Sequence, residues 1–230
     1  MTWLAGVDGC RAGWVLALVR PEGSEVQICV VPRFADSLAG GPAIVAVDMP
    51  IGLPERAGPG GRGPERLVRR LLPGRSSSVF SVPSRAAVEA DDYAEACRIA
   101  RATSDPPRAL SRQLFNIMPR IREVDAALRA DPAAAARVFE SHPELTFCRL
   151  NGGLPPPKKK TAAGALARRS LLGLAGLAVD GPVPRGAAVD DVLDALACAI
   201  AARRLYRGEA VSYPGQPPRD AHGLPIAIWC

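Results

Sequence analysis

Three apolar runs in this chain each lead into a carboxylate. Trp3-Leu4-Ala5-Gly6-Val7 runs into Asp8, Ala43-Ile44-Val45-Ala46-Val47 into Asp48, and Ala136-Arg137-Val138-Phe139 into Glu140. A carboxylate at the end of a strand inside a core costs free energy unless something cationic meets it. Asp191 and Asp194 add a further pair, three apart at the start of a strongly helical segment and so on one face of it. Strand-end carboxylates converging with a helical pair meet the needs of a divalent-metal site. The chain is thereby constrained to an α/β arrangement that brings several strand ends and one helix face together.

The order of elements follows from turn residues and periodicity. Residues 2–8, 13–20 and 25–31 read as strands, with Gly9 and Gly13 bracketing the first turn and Pro21-Glu22-Gly23-Ser24 marking the second. A brief helix at 34–39 leads to the strand that ends at Asp48. A right-handed crossover lays that strand parallel to the first and puts Asp8 and Asp48 at one sheet edge. Gly58 to Pro64 is Gly/Pro-rich and reads as mobile. Helical periodicity occupies 85–103 and 108–129, the latter carrying Leu110, Leu114, Ile117, Ile121, Val124 and Leu128, with Pro119 expected to kink or interrupt it. Residues 55–130 thus form a helical insertion covering one end of the sheet. Residues 136–140 are a fifth strand, 145–149 read as sheet or its edge, helices follow at 161–178 and 189–206, and 224–228 reads as a short edge strand.

With 230 residues the expectation is one domain, 1–230, carrying that insertion. The formal net charge of +6 suits a polyanionic partner or simply an Arg-rich solvated surface. The six cysteines contain no C-x-x-C pair and read as buried reduced thiols of a cytoplasmic protein. With only His142 and His222 available, a His-rich zinc site is excluded. No apolar run approaches the ~20 residues of a membrane span.

Each acidic residue has a plain structural use as well. Asp8 or Asp48 alone is a turn former after a strand; together, across adjacent parallel strands, they repel unless a cation or proton lies between them. Asp190 reads as the cap of the last long helix, which leaves Asp191 and Asp194 to face a metal. Glu140 is either a polar strand end before a turn at Pro143 or a further metal ligand, and His142 in Glu140-Ser141-His142-Pro143 is either structural or a proton carrier or phosphate contact. Lys159, Lys160 and Thr161 open a helix after Pro155-Pro156-Pro157, either to hold a phosphate at its N-terminus or as a solvated basic loop. The arginines at 62, 66, 69, 70 and 75 either track a phosphate backbone or solvate a flexible segment.

Taken together, Gly6–Val15, Asp48–Pro54, Gly74–Pro83, Leu110–Asp125, Glu140–Phe147, Lys159–Gly164 and Asp190–Ala199 resemble the ribonuclease H-like superfamily. Asp191-x-x-Asp194-Ala-Leu is similar to the last-helix motif of RuvC-type Holliday-junction resolvases. The match is closer to the family known as domain of unknown function 429, whose members are inferred to be ribonuclease H-like nucleases. The resemblance implies a mixed five-stranded sheet in the order 3-2-1-4-5 flanked by helices. It also implies two Mg²⁺ or Mn²⁺ ions held by Asp8, Asp48, Asp191 and Asp194, with Glu140 beside them. On that reading Asp8 bridges the ions, and Arg75, Lys159 and Lys160 contact phosphate in a nuclease or phosphodiesterase acting on nucleic acid or a small phosphodiester, as a monomer or homodimer. The rival readings are an actin-like nucleotide-binding protein or ATPase, suggested by Gly6-Val7-Asp8-Gly9-Cys10, and a non-catalytic nucleic-acid-binding module.

Overall fold

The computed structural model describes residues 2–177 and 181–230. Its centre is a five-stranded mixed sheet in the order β3-β2-β1-β4-β5, built from β1 (Leu4–Cys10), β2 (Gly13–Val19), β3 (Val26–Val31), β4 (Ile44–Val47) and β5 (Val138–Glu140). The first three strands are antiparallel, whereas β4 runs parallel to β1 and β5 parallel to β4. The α/β architecture and strand order are those expected from the sequence.

β1 is placed two residues later than its apolar run suggested. It continues through Gly9 and Cys10 because a two-residue turn, Arg11-Ala12, closes the hairpin with Cys10 opposite Gly13. Gly13 has φ +139°, a region that a side chain disfavours, so the turn depends on glycine there. Asp8 therefore lies inside the strand, opposite Val15, rather than at its end.

A short 3-10 turn, Phe34–Leu38, crosses to β4. After β4 come α1 (Pro64–Leu71), a second 3-10 turn (Ser76–Ser78), α2 (Arg85–Glu89), α3 (Tyr93–Ala102), α4 (Arg112–Ala130) and α5 (Pro132–Ala135). The helices of this insertion cover a whole face of the sheet and not only one end: Val88, Ala96, Leu114, Met118, Ile121, Val124 and Leu128 pack with Ala5, Val7, Trp14, Leu16, Val45 and Val47 in one cluster. α4 runs through Pro119 without interruption. Pro119 is exposed, so its ring and missing N–H fall on the solvent side while the buried stripe holds the helix to the sheet. Glu123 fastens the same helix to the first layer, accepting from Trp14 Nε1 at 3.0 Å and from the Phe34 amide at 2.5 Å.

On the other face lie α6 (Pro143–Leu150), α7 (Ala162–Leu174) and α8 (Val189–Tyr206). The expected sheet segment at 145–149 is instead part of α6. Pro143 sits at its first helical position, with φ already set for a helix. Leu145, Thr146, Phe147 and Cys148 are buried on every side, so they carry no period that distinguishes helix from strand. The helix expected at 161–178 ends at Leu174, and position 178 lies outside the described residues. A β6–β7 pair, Ser212–Tyr213 with Ile228–Trp229, brings the chain end beside β5 through a bridge from Trp229 to Ser141. Cys29 is exposed on β3, contrary to the expectation that all six cysteines are buried; the other five are buried and all six are free thiols. Among the described residues no helix is long and apolar enough to cross a membrane.

α8 is the pivot of the architecture. It packs on β1 at Gly6, where an added Cβ would stand 2.0 Å from the Ala195 carbonyl oxygen and 2.2 Å from the Ala199 amide nitrogen. Only a residue with no side chain lets the two backbones meet this closely. That approach carries Asp194, at the head of α8, over the strand that holds Asp8.

Candidate functional site

A cleft of about 880 Å³ opens at the sheet edge where β1, β4 and β5 end. Asp8, Asp48, Glu140 and Asp194 line it, as do Glu144, His142, Arg75, Lys158, Lys159 and Lys160. The β1–β4 register sets the first two carboxylates side by side, because Val7 pairs with Val47 and the Asp48 amide donates to the Val7 carbonyl at 3.0 Å. β5 brings Glu140 level with Val47.

Burial of like charges dominates the electrostatics. Burial, then Asp48 and Asp194, pushes the Asp8 carboxyl well above its ordinary range. Burial raises Asp48 to about 7, against the pull of Lys159 and with Glu144 adding to the rise. Asp194 is raised to about 6 by burial, with Lys159 opposing and Asp48 adding. Lys159 donates to Asp194 Oδ2 at 2.7 Å, and the surrounding carboxylates hold its ammonium more firmly protonated than usual despite its partial burial. The other oxygen of Asp194, Oδ1, is buried with no partner among the described residues. Neither Asp8 nor Asp48 has an ion-pair partner among those residues. One ammonium thus faces several buried carboxylates.

Two residues singled out in the sequence have structural duties here. Asp191 does not line the cleft. Its Oδ2 accepts the Ala188 amide at 2.8 Å at the start of α8, so Asp191 caps the helix in the place expected of Asp190. That capping bond works against the burial that raises its carboxyl. Glu140 lines the cleft, but both its oxygens are taken: Oε1 by Arg62 at 2.7 Å and Oε2 by the Ile51 amide at 2.8 Å. Burial lifts it to about 7 while Arg62 pulls it back.

The arginines divide likewise. The Arg62 side chain is 0 % exposed, paired at 2.7 Å with both Glu65 and Glu140, and it also donates to the Ile51 and Gly52 carbonyls. It and the reciprocal Gly58–Gly61 backbone bonds tie down the segment expected to be mobile. Arg69 is spent on the carbonyls of Gly60 and Val79. Arg66 and Arg70 are exposed on α1, away from the cleft lining. Arg75 lines the cleft, donating to the Pro156 carbonyl at 3.1 Å and so linking the Gly74–Ser78 segment to the proline connector. Arg62→Ala leaves two buried carboxylates without their cation, which typically costs about 3–5 kcal/mol. The expected result is a Tm lower by about 10 °C for a chain of this size, read by thermal circular dichroism; an unchanged Tm refutes this role.

His142 is the N-cap residue of α6, with Nε2 3.3 Å from the Ser78 carbonyl and Nδ1 without a partner among the described residues. Burial shifts its imidazole down, so it is held neutral. Lys160 lines the cleft and is exposed.

Sequence reasoning passed over Glu144. It sits in the first turn of α6, buried, with Oε1 accepting from Arg168 Nη2 at 2.5 Å and Oε2 without a partner among the described residues. The available signal was Pro143: a proline that opens a helix turns the next residue into the first turn, toward the same edge as Glu140. Arg168, also missed, is fully buried and looked like one of many surface arginines.

Among the described residues no three His, Cys, Asp or Glu side chains are gathered as ligands of a single ion. The donor chemistry nevertheless fits a hard divalent cation: the free groups are carboxylate oxygens, and two buried oxygens, Asp194 Oδ1 and Glu144 Oε2, lack partners at the cleft.

No curated protein and no solved structure matches the chain. One family profile does, over residues 6–219. That span takes in the five-stranded sheet but for Leu4 and Ala5 of β1, together with the helix carrying Asp194, and the chain therefore belongs to the family described as "Protein of unknown function (DUF429)".

Proposed function

We propose that the chain is a ribonuclease H-like, metal-dependent phosphodiesterase or nuclease. The observation that carries the reading is the buried Asp194 Oδ1, without a partner among the described residues, in a cleft where Asp8, Asp48 and the second oxygen of Glu144 bring further carboxylate oxygens. Asp8, Asp48, Asp194 and Glu144 would hold two Mg²⁺ or Mn²⁺ ions. When bound, such ions activate water at neutral pH and stabilise the charge that develops on the leaving oxygen. The net change is addition of water across one P–O bond, giving a phosphomonoester and an alcohol.

The chain's own residues supply the rest. Lys159 keeps the carboxylate group from flying apart electrostatically and holds Asp194 in place by its 2.7 Å bond. Arg75, Lys158 and Lys160 stand at the cleft without carboxylate partners among the described residues, free to take phosphate oxygens. Glu140 acts at one remove: with Arg62 it pins the turn after Asp48 and so fixes that carboxylate.

Two measurements test the reading. Hydrolysis of bis(p-nitrophenyl) phosphate is expected with Mn²⁺ or Mg²⁺ and not with EDTA. Metal-free stability should also depend on pH with a definite sign. Asp48 and Asp194 titrate at about 7 and about 6 in the folded chain, against about 3.9 when unfolded. Between those limits the folded state binds more protons, so stability falls as pH rises from about 4 to about 7. Asp8 and Glu140 act in the same sense. His142, shifted down, works the other way only below about pH 6.5. Mn²⁺ at saturating concentration removes the penalty, and a Tm rise of about 5 °C or more is expected at pH 8. A Tm indifferent to Mn²⁺, with no hydrolysis, rejects the proposal.

A further inference from the structure

Beyond the carboxylates the cleft has a second half that the hydrolytic reading leaves unused. Gln113, Asn116, Ile117 and Arg120 project from one face of α4 into it, spaced at three, four and seven residues. Arg120 is occupied, donating to the carbonyls of Gly13 and Cys10 at the β1–β2 hairpin. Gln113 and Asn116 are exposed, and their side-chain amides have no partner among the described residues. Beside them Ile117 and Phe80, both half-buried against the core, present an apolar shelf. At the other rim Arg75, Lys158 and Lys160 are cations without carboxylate partners among the described residues.

Resting on the proposed hydrolytic function, we infer that the cleft takes a short, unpaired nucleotide phosphodiester. One base lies on the Phe80–Ile117 shelf, its edge read by Gln113 and Asn116, while the next phosphate falls among the rim cations. Three features carry this. The volume of about 880 Å³ lies within the about 300–1,000 Å³ of small-molecule sites, room for a dinucleotide. A flat aromatic face beside an aliphatic one suits any base by stacking. Free carboxamides match base edges, which carry both donors and acceptors. A duplex keeps its bases stacked on one another and needs an extended surface, whereas the Gly74–Phe80 segment and α4 wall this cleft. A dinucleoside monophosphate and one water give one nucleoside and one nucleoside monophosphate.

The test compares thymidine dinucleotide, a 12-residue single strand, a 24-base-pair duplex and bis(p-nitrophenyl) phosphate, each with Mn²⁺. The variants are wild type and Q113A/N116A, whose exposed positions leave the fold intact. The dinucleotide is expected to be cleaved at least 100-fold faster per molecule than the duplex. The double variant should raise KM for the dinucleotide about tenfold through two lost hydrogen bonds and leave the base-free ester unchanged. If the ester is cleaved but the duplex matches the dinucleotide, or the variant affects neither, this inference falls and the hydrolytic reading stands. If nothing is cleaved, that reading falls, and calorimetric binding of the dinucleotide decides the pocket. Binding weakened about tenfold by the variant upholds it; no binding, or equal binding, overturns it.

Discussion

Asp8→Asn is expected to eliminate the proposed metal-dependent hydrolysis while leaving the protein folded. Asp8 lies within β1, beside Asp48 and under Asp194, and its carboxyl is raised by burial and by both neighbours. Replacing it with a neutral amide of the same shape removes an oxygen proposed to hold metal from the centre of the group. Loss of an outer partner of a metal ligand costs about 10–100-fold, so loss of a ligand itself is expected to cost about 10³-fold or more in kcat. Stability moves the other way. Without metal, an ionised Asp8 is a buried charge among like charges, so the Asn variant in EDTA at pH 8 should melt at or above the wild-type temperature. Mn²⁺ should raise its Tm less than it raises the wild type's. Retained activity sinks the assignment of Asp8. A large drop in Tm means instead that its role is structural.

Gly6→Ala is expected to give one of the largest stability losses of any single methyl addition among the described residues. The new Cβ would stand 2.0 Å and 2.2 Å from backbone atoms of α8, which no rotamer change can relieve. Either α8 lifts from β1 or the sheet bends. Overpacking against side chains costs about 1–3 kcal/mol; against fixed backbone the loss should exceed about 4 kcal/mol, a substantial part of a domain's total stability. Because Asp194 travels with α8, any folded remnant should also lose the Mn²⁺ binding proposed for the cleft. Chemical denaturation monitored by circular dichroism, with Mn²⁺ titration of the folded fraction, reads both effects. A loss under about 1 kcal/mol shows that the helix tolerates displacement.

Both outcomes depend on how a helix and a strand meet, and that is where sequence and structure part. Apolar runs, turn glycines and prolines determine the first four strands, the insertion and the last helix, whose limits at 189 and 206 are those the periodicity gives. They also place Asp8, Asp48 and Asp194 among the groups that line one cleft. These features are local or follow from a single handedness rule, so a linear reading captures them. Residues 145–149 failed because they are buried all round, and burial on every side erases the period that tells helix from strand.

Partner choice was beyond the sequence. Glu140 and Glu144 are both acidic residues at the same edge, yet Arg62 and Ile51 saturate the first while the second keeps a free oxygen. Arg62 and Arg75 belong to one basic stretch, yet one is sealed between carboxylates and the other stands at the cleft. Asp191 and Asp194 share a helix turn, but one oxygen of the first caps the helix and its side chain stays off the cleft lining. The residue types and spacings needed for a carboxylate cleft are thus written in the sequence. Which carboxylates remain unpaired was decided by the tertiary structure, because pairing depends on contacts between residues far apart in the chain, Ile51 and Glu140 being 89 positions apart.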